Sequence, residues 1–166
     1  MTGIISFMET AAQPADLTAH DRRILKALQE DGRLSNADLA KQVGLSASAC
    51  WNHTRRLFET RVIKGVRAMI DPKAVQRETA VLVGIVLDRS TQESFAHFAS
   101  AARALPQVLE CFLVAGEVDY FLKIRVRDLN AFNRLHSETI LALPGVRQVR
   151  TFFVLDEVKT DGPLDF

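Results

Sequence analysis

Two kinds of hydrophobic pattern occupy this chain, and the change falls near its middle. From Leu17 to Leu57 the apolar positions recur every three or four residues, the period of amphipathic helices. Leu17, Ile24, Leu25 and Leu28 predict a first helix. It opens at Thr18 with Asp21 three residues on, a capping-box pattern, and ends near Asp31-Gly32. Leu39, Ala40 and Val43 predict a second, short helix behind Ser35 and Asp38. Gly44 stands where a chain leaving a helix needs left-handed backbone. Leu45 then returns to the core, and Ser46 can cap a third helix whose inward set is Cys50, Thr54 and Leu57. A helix, a glycine turn and a second capped helix make the sequence form of a helix-turn-helix. Val62 to Ile70 is β-branched and partly alternating. It predicts a strand, broken by Asp71-Pro72, that serves as a hinge arm.

Past Thr79 the pattern shifts to short apolar runs separated by two helical stretches. Strands are expected at Ala80 to Leu87, Val108 to Val114, Asp119 to Val126 and Val146 to Val158. Helices are expected at Thr91 to Leu105, stopped by Pro106, and at Leu129 to Leu143, closed by Pro144-Gly145. The order β-α-β-β-α-β is the ferredoxin-like split βαβ, an antiparallel sheet with both helices on one face. The fold class is therefore α+β. Four segments are expected: an amino-terminal extension over 1–16, a (winged) helix-turn-helix domain over 17–61, a connecting strand and hinge over 62–78, and a ferredoxin-like domain over 79–166. The bare sheet face is expected to carry Val83, Ile85, Phe112, Val114, Phe121 and Phe153. These are too apolar for solvent and mark a dimer interface.

Charge sharpens the reading of the third helix. Trp51, Asn52, Arg55, Arg56 and Glu59 spread over its outward side, a set with an indole, an amide and two guanidiniums. Arginine pairs with guanine edges or phosphates and asparagine with adenine. From Ser46 to Arg67 five basic residues (Arg55, Arg56, Arg61, Lys64, Arg67) face one acid, Glu59, in a chain whose net charge is +1. A basic surface on a helix-turn-helix is a nucleic-acid footprint. The small overall charge excludes coating of DNA by charge alone. The cysteines, Cys50 and Cys111, are far apart in apolar runs, and the four histidines are scattered, so no metal site is expected. That usage suits a reduced, cytoplasmic setting. The apolar stretch GIISFM near the start is too short to span a bilayer, and no membrane association is expected. No catalytic constellation is present: Cys111 has no identifiable histidine partner, and there is no glycine-rich phosphate loop or HExxH, so the chain is not read as an enzyme.

The stretches LTAHDRRILKALQEDGRLSNADLAKQVGLS, ACWNHTRRL, LVAGEVDYFLKIRV and LPGVRQVRTFFVLDEVK, in this order and spacing, resemble the Lrp/AsnC (feast/famine) family of transcription regulators from about Leu17 to Lys159. Three positions depart from the family pattern. Ala47-Ser48-Ala49 stands where a proline is common, Phe58 where glutamate is common, and Arg61 where glycine is common. Arg61 must adopt left-handed backbone or the helix must end another way.

The resemblance implies a sequence-specific DNA-binding transcriptional regulator, a homodimer that assembles into octamers or related rings. Its partners are double-stranded DNA, further copies of itself and a small effector, most often an amino acid. No cofactor is implied. For DNA, Ser46, Ala47 and Ser48 lie at the helix amino terminus, where free amides meet phosphate. Trp51, Asn52 and Arg55 are placed for base edges, and Arg56 for phosphate. For the effector, the resemblance points to the turn Val114, Gly116, Glu117, Val118, Asp119 and Tyr120, joined by Thr151 from a neighbouring subunit. Asp119 would hold the ammonium directly or by fixing the turn. The competing reading is an architectural DNA-binding protein that responds to no ligand.

Overall fold

The computed structural model describes residues 16–166. The loose or partner-draped segment expected at the start of the chain lies outside the described residues. The chain folds as two compact units, one reaching to Met69 and including Lys159–Phe166, the other Ile70–Val158.

The first unit is built on three helices, α1 (Ala19–Glu30), α2 (Asn36–Val43) and α3 (Ala47–Glu59). Each begins as its sequence demands. Thr18 and Asp21 form a reciprocal capping box on α1, the Ser35 hydroxyl accepts from the Asp38 N–H, and the Ser46 hydroxyl accepts from the Ala49 N–H. Gly44 ends α2 at φ 72°, in the left-handed region that a β-carbon disfavours. The Leu45 N–H then returns to the Ala40 carbonyl, and the turn is closed. Ile24, Ala27, Leu39, Ala40, Val43, Cys50 and Leu57 form the core, with Leu17, Leu25, Leu28, Val62 and Ile63 packed around it. Beyond α3, Arg61 takes the left-handed backbone (φ 59°) that glycine would adopt without strain. The Ile63 N–H bonds back to the Leu57 carbonyl.

The second unit is a four-stranded antiparallel sheet of β1 (Thr79–Leu87), β2 (Val108–Leu113), β3 (Tyr120–Val126) and β4 (Val146–Phe153), in the order β2-β3-β1-β4. Helix α4 (Gln92–Arg103) and helix α5 (Leu129–Leu135), which runs on into a π-helical turn (His136–Ile140), complete the βαββαβ order. Val81, Val83, Ile85, Tyr120, Leu122, Ile124 and Val126 form the sheet side of the core, against Phe98, Ala102, Phe132, Leu135 and Ile140. Among the described residues no helix is long and apolar enough to cross a membrane.

Four sequence expectations are corrected. Val62 to Ile70 is not a strand here: among the described residues it has no ladder partner, and Val66, Met69 and Ile70 are exposed. Period-2 patterning makes a strand only where another strand satisfies its N–H and C=O groups. The expected helix to Leu143 changes to π geometry at His136 and ends at Ile140. The last strand stops at Phe153 rather than Val158. Finally, Val83, Ile85 and Phe153 belong to the helix-covered face. Val83 and Ile85 are fully buried, and the Phe153 ring lies 5.3 Å from that of Phe132. The open face carries Leu82, Phe112, Phe121 and Phe152, with Leu82 paired to Phe152 and Phe112 to Phe121 across the ladders. A continuous apolar run such as Ala80 to Leu87 has no alternation from which to read parity, and a shift of one residue exchanges the faces.

Candidate functional site

Helix α3 presents its outward side as the period requires. Ser46, Ala47 and Ser48 are exposed at its start, and the first intrahelical bond runs from the Cys50 N–H to the Ser46 carbonyl at 2.9 Å, so the Ala47 and Ser48 N–H groups precede it. The Asn36 amide donates to the Ala47 carbonyl at 2.9 Å and fixes α2 against that end. Trp51 is 56% exposed, on the solvent side and not in the core. Asn52, Arg55 and Arg56 are also exposed. The Arg55 guanidinium lies 3.3 Å from the Glu59 carboxylate, both well exposed, so Glu59 holds it in place with little energetic commitment.

Arg56 has a second engagement. It reaches the carboxylate of Asp21, the only buried charged residue among those described. That carboxylate also accepts from the Thr18 N–H (2.8 Å) and the Thr18 hydroxyl (2.7 Å), and lies 2.8 Å from His53 Nδ1. Burial by itself would push the Asp21 carboxyl up. The hydrogen bonds from His53, Arg56 and Thr18 outweigh it and hold the group well below the usual carboxylate range. Asp21 therefore caps α1 and also ties α3 to it, setting the angle at which α3 stands out. Capping alone accounted for Asp21 in the sequence. A signal for the second role was present: Asp21 sits three, four and seven residues before Ile24, Leu25 and Leu28, on the apolar stripe of α1.

In the second unit, the turn between β2 and β3 is tightly held. The Val114 N–H donates to the Asp119 carbonyl (2.9 Å) and the Asp119 N–H to the Ile85 carbonyl (2.8 Å). The Asp119 carboxylate accepts from the Leu87 N–H at 2.8 Å, where the β1–β4 register shifts. Val118 is buried over Gly84: a β-carbon on Gly84 would lie 3.0 Å from Val118 Cγ1. Glu117 pairs with Arg150 at 2.6 Å. Gly116, at φ 151°, is exposed with open space around it. The turn is thus anchored from below while its tip, Ala115 to Glu117, remains exposed.

One expected effector residue, Tyr120, is buried beneath the turn, and Thr151, expected from a neighbouring subunit, lies on β4. Tyr120 is in the core, its ring 4.6 Å from that of Phe98 and its hydroxyl donating to the Phe95 carbonyl at 3.1 Å. Burial there raises its pKa. It supports the turn and is not open to a ligand. Thr151 pairs with Val83 across the β1–β4 ladder and so shares the helix-covered side, next to Arg150, which pairs with Glu117 of the turn. Among the described residues no group of three or more His, Cys, Asp or Glu side chains could hold a metal ion.

These two arrangements coincide with two known domain families. Residues 17–64 match the winged helix-turn-helix DNA-binding family and residues 80–164 the Lrp/AsnC ligand binding domain. The leucine-responsive regulatory protein of Klebsiella pneumoniae is 44% identical over 149 residues, 90% of this chain and 91% of that protein. The Escherichia coli K12 protein of the same name is 43% identical over the same span. Among solved structures, a transcriptional regulator of Neisseria meningitidis in complex with L-Met superposes with a TM-score of 0.84 at 33% identity, covering 90% of this chain and 96% of that one. An AsnC family transcriptional regulator of Agrobacterium tumefaciens does so with a TM-score of 0.84 at 33% identity, covering 90% and 97%. An exposed, amide- and guanidinium-bearing helix on a helix-turn-helix and a ferredoxin-like domain with an anchored β2–β3 turn meet in one chain, which belongs to the Lrp/AsnC family of DNA-binding, effector-modulated transcriptional regulators.

Proposed function

We propose that this regulator responds to an amino acid with an aliphatic side chain, held at the tip of the β2–β3 turn, and that the ligand acts by biasing how dimers assemble. The observation that carries the reading is the turn itself. Asp119 and Val118 anchor it from below, leaving exposed backbone at Ala115, Gly116 and Glu117 for a carboxylate and an ammonium. One carboxylate oxygen of Asp119 is occupied by the Leu87 N–H, which favours fixing the turn over gripping the ligand alone. The names of the leucine-responsive relatives and the L-Met bound to the Neisseria protein support the ligand class.

Dimers form through the open sheet face. Leu82, Phe112 and Phe152 expose apolar surface there. Beside them Lys123 links Glu110 (3.4 Å) and Glu157 (3.9 Å), a charged edge that can set register. Assembly of dimers, up to an octamer, brings turns from different dimers together, with Thr151 contributed by a neighbour. On DNA, Trp51, Asn52 and Arg55 meet base edges, Arg56 and the α3 amino terminus meet phosphates, and a two-fold dimer spaces two α3 helices about one DNA turn apart or a multiple of it. A ligand that prefers one assembly shifts the population toward it by no more than its differential affinity.

The test is fluorescence anisotropy on a duplex from upstream of the protein's own gene, at fixed salt, with and without a pool of amino acids. The expected result is tight binding that the pool shifts. Tight binding that ignores every amino acid would defeat the ligand reading and favour a ligand-free DNA organiser.

A further inference from the structure

A cavity of about 410 Å³ opens at one end of the second unit, where the end of β3 meets α5 and the π-helical turn. Arg77, Arg125, Arg127 and Arg134 line it, with Gln107, Thr139 and a single carboxylate, Glu138. Four guanidiniums around one space repel one another, in a chain whose net charge is only +1. Two of them are paired with carboxylates. Arg125 pairs with Glu157 and donates to the Arg77 carbonyl at 3.4 Å, its side chain 14% exposed. Arg127 pairs with Asp128 at 2.8 Å. Arg77 donates to the Gln76 carbonyl, which carries no charge, and among the described residues neither Arg77 nor Arg134 pairs with a carboxylate.

The backbone is irregular at the same place. Ala131, Arg134, Leu135 and Glu138 share one face of α5 and its continuation, and Glu138 and Thr139, both within the π-helical turn, line the cavity. Single π turns inside helices occur frequently at functional sites. The volume lies in the range of small-molecule pockets.

We infer that this cavity binds a small multivalent anion bearing phosphate or carboxylate groups, at a site separate from the β2–β3 turn. The planar forks of Arg77 and Arg134 form no ion pair with a carboxylate among the described residues, and each can take an oxyanion bidentately. Arg125, held by Glu157, forms a rigid wall, and Thr139 and Gln107 offer neutral hydrogen bonds. The α5 helix carries the site, so occupancy would stiffen the helix at its π turn and give the regulator a second, metabolic input.

Isothermal titration of the full chain with pyrophosphate and with citrate, at constant ionic strength in potassium chloride, tests this. Saturable, submillimolar binding is expected for at least one probe. Arg134→Gln, on an exposed helix face, should weaken it by about tenfold or more. The amino-acid response at the turn should survive in that variant. Binding of pyrophosphate but not citrate would assign a phosphate-bearing ligand, and the converse a polycarboxylate. No saturable heat at millimolar concentration, or equal binding by Arg134→Gln with an unchanged far-ultraviolet circular dichroism spectrum, would overturn the inference. So would displacement of the probe by random-sequence duplex together with weaker non-specific DNA binding by Arg134→Gln, since the cavity would then be a contact to the DNA backbone.

Discussion

The buried carboxylate of Asp21 makes the sharpest prediction. Asp21→Ala removes the capping partner of Thr18 and the anchor of His53 and Arg56 on α3 in one step. Breaking a buried ion pair by deleting one partner costs about 3–5 kcal/mol. Here the partners are not sealed: the Arg56 side chain is 45% exposed and that of His53 28%. Both can rehydrate once the carboxylate is gone, so the expected loss is about 2–4 kcal/mol. Asp21→Asn keeps the volume and one acceptor and should lose about half as much. Urea unfolding at pH 7 and fixed protein concentration, followed by the fluorescence of Trp51, the sole tryptophan, reads the helix concerned. The double variant with Arg56→Ala should show a coupling of about 1–2 kcal/mol. The sign with pH follows from the depressed carboxyl. The unfolded chain binds its proton at the ordinary value of about 3.9, above the folded one. The stabilisation is thus fully present above that value and declines as pH falls below it. The gap between wild type and Asp21→Asn should therefore narrow on acidification. Coincident unfolding curves at pH 7, or a gap that widens in acid, would refute the network as described.

Arg55→Ala should weaken specific DNA binding or relax its sequence preference by about 1–3 kcal/mol, measured by anisotropy against matched and scrambled duplexes; unchanged affinity and preference would remove Arg55 from the interface. Asp119→Ala should release the β2–β3 turn from Leu87 and abolish the effector response while DNA binding persists, and an intact response would place the ligand elsewhere. Phe152→Asp on the open sheet face should weaken self-association by at least about 2 kcal/mol in sedimentation equilibrium, and an unaltered dimer would show that this face is not the interface. The buried Thr54 hydroxyl has no hydrogen-bond partner among the described residues. Thr54→Val should therefore leave stability unchanged or raise it by about 1 kcal/mol, and a loss of that size would mean the hydroxyl has a partner after all.

Local chemistry determined much of this molecule. The three helices of the first unit were legible because their caps, Thr18, Ser35 and Ser46, and the glycine turn at Gly44 act within a few residues along the chain. Hydrophobic period likewise put Cys50 and Leu57 inside and Trp51 outside. The βαββαβ order followed from run lengths and from the breaks at Pro106 and Pro144-Gly145. What needed the tertiary structure was every property that depends on a partner distant in sequence. Val62 to Ile70 alternates but meets no strand among the described residues and forms none with them. The face of β1 could not be read from a run apolar on both sides; packing of Phe98 and Phe132 onto Val83 and Ile85 decided it. Tyr120 belongs to the core because Phe95 and Phe98 lie above it, and Asp119 holds the turn because Leu87 presents an N–H there. Asp21 was visible as a cap three residues from Thr18, whereas its ion pair with Arg56 spans 35 positions and exists only once α3 has packed against α1.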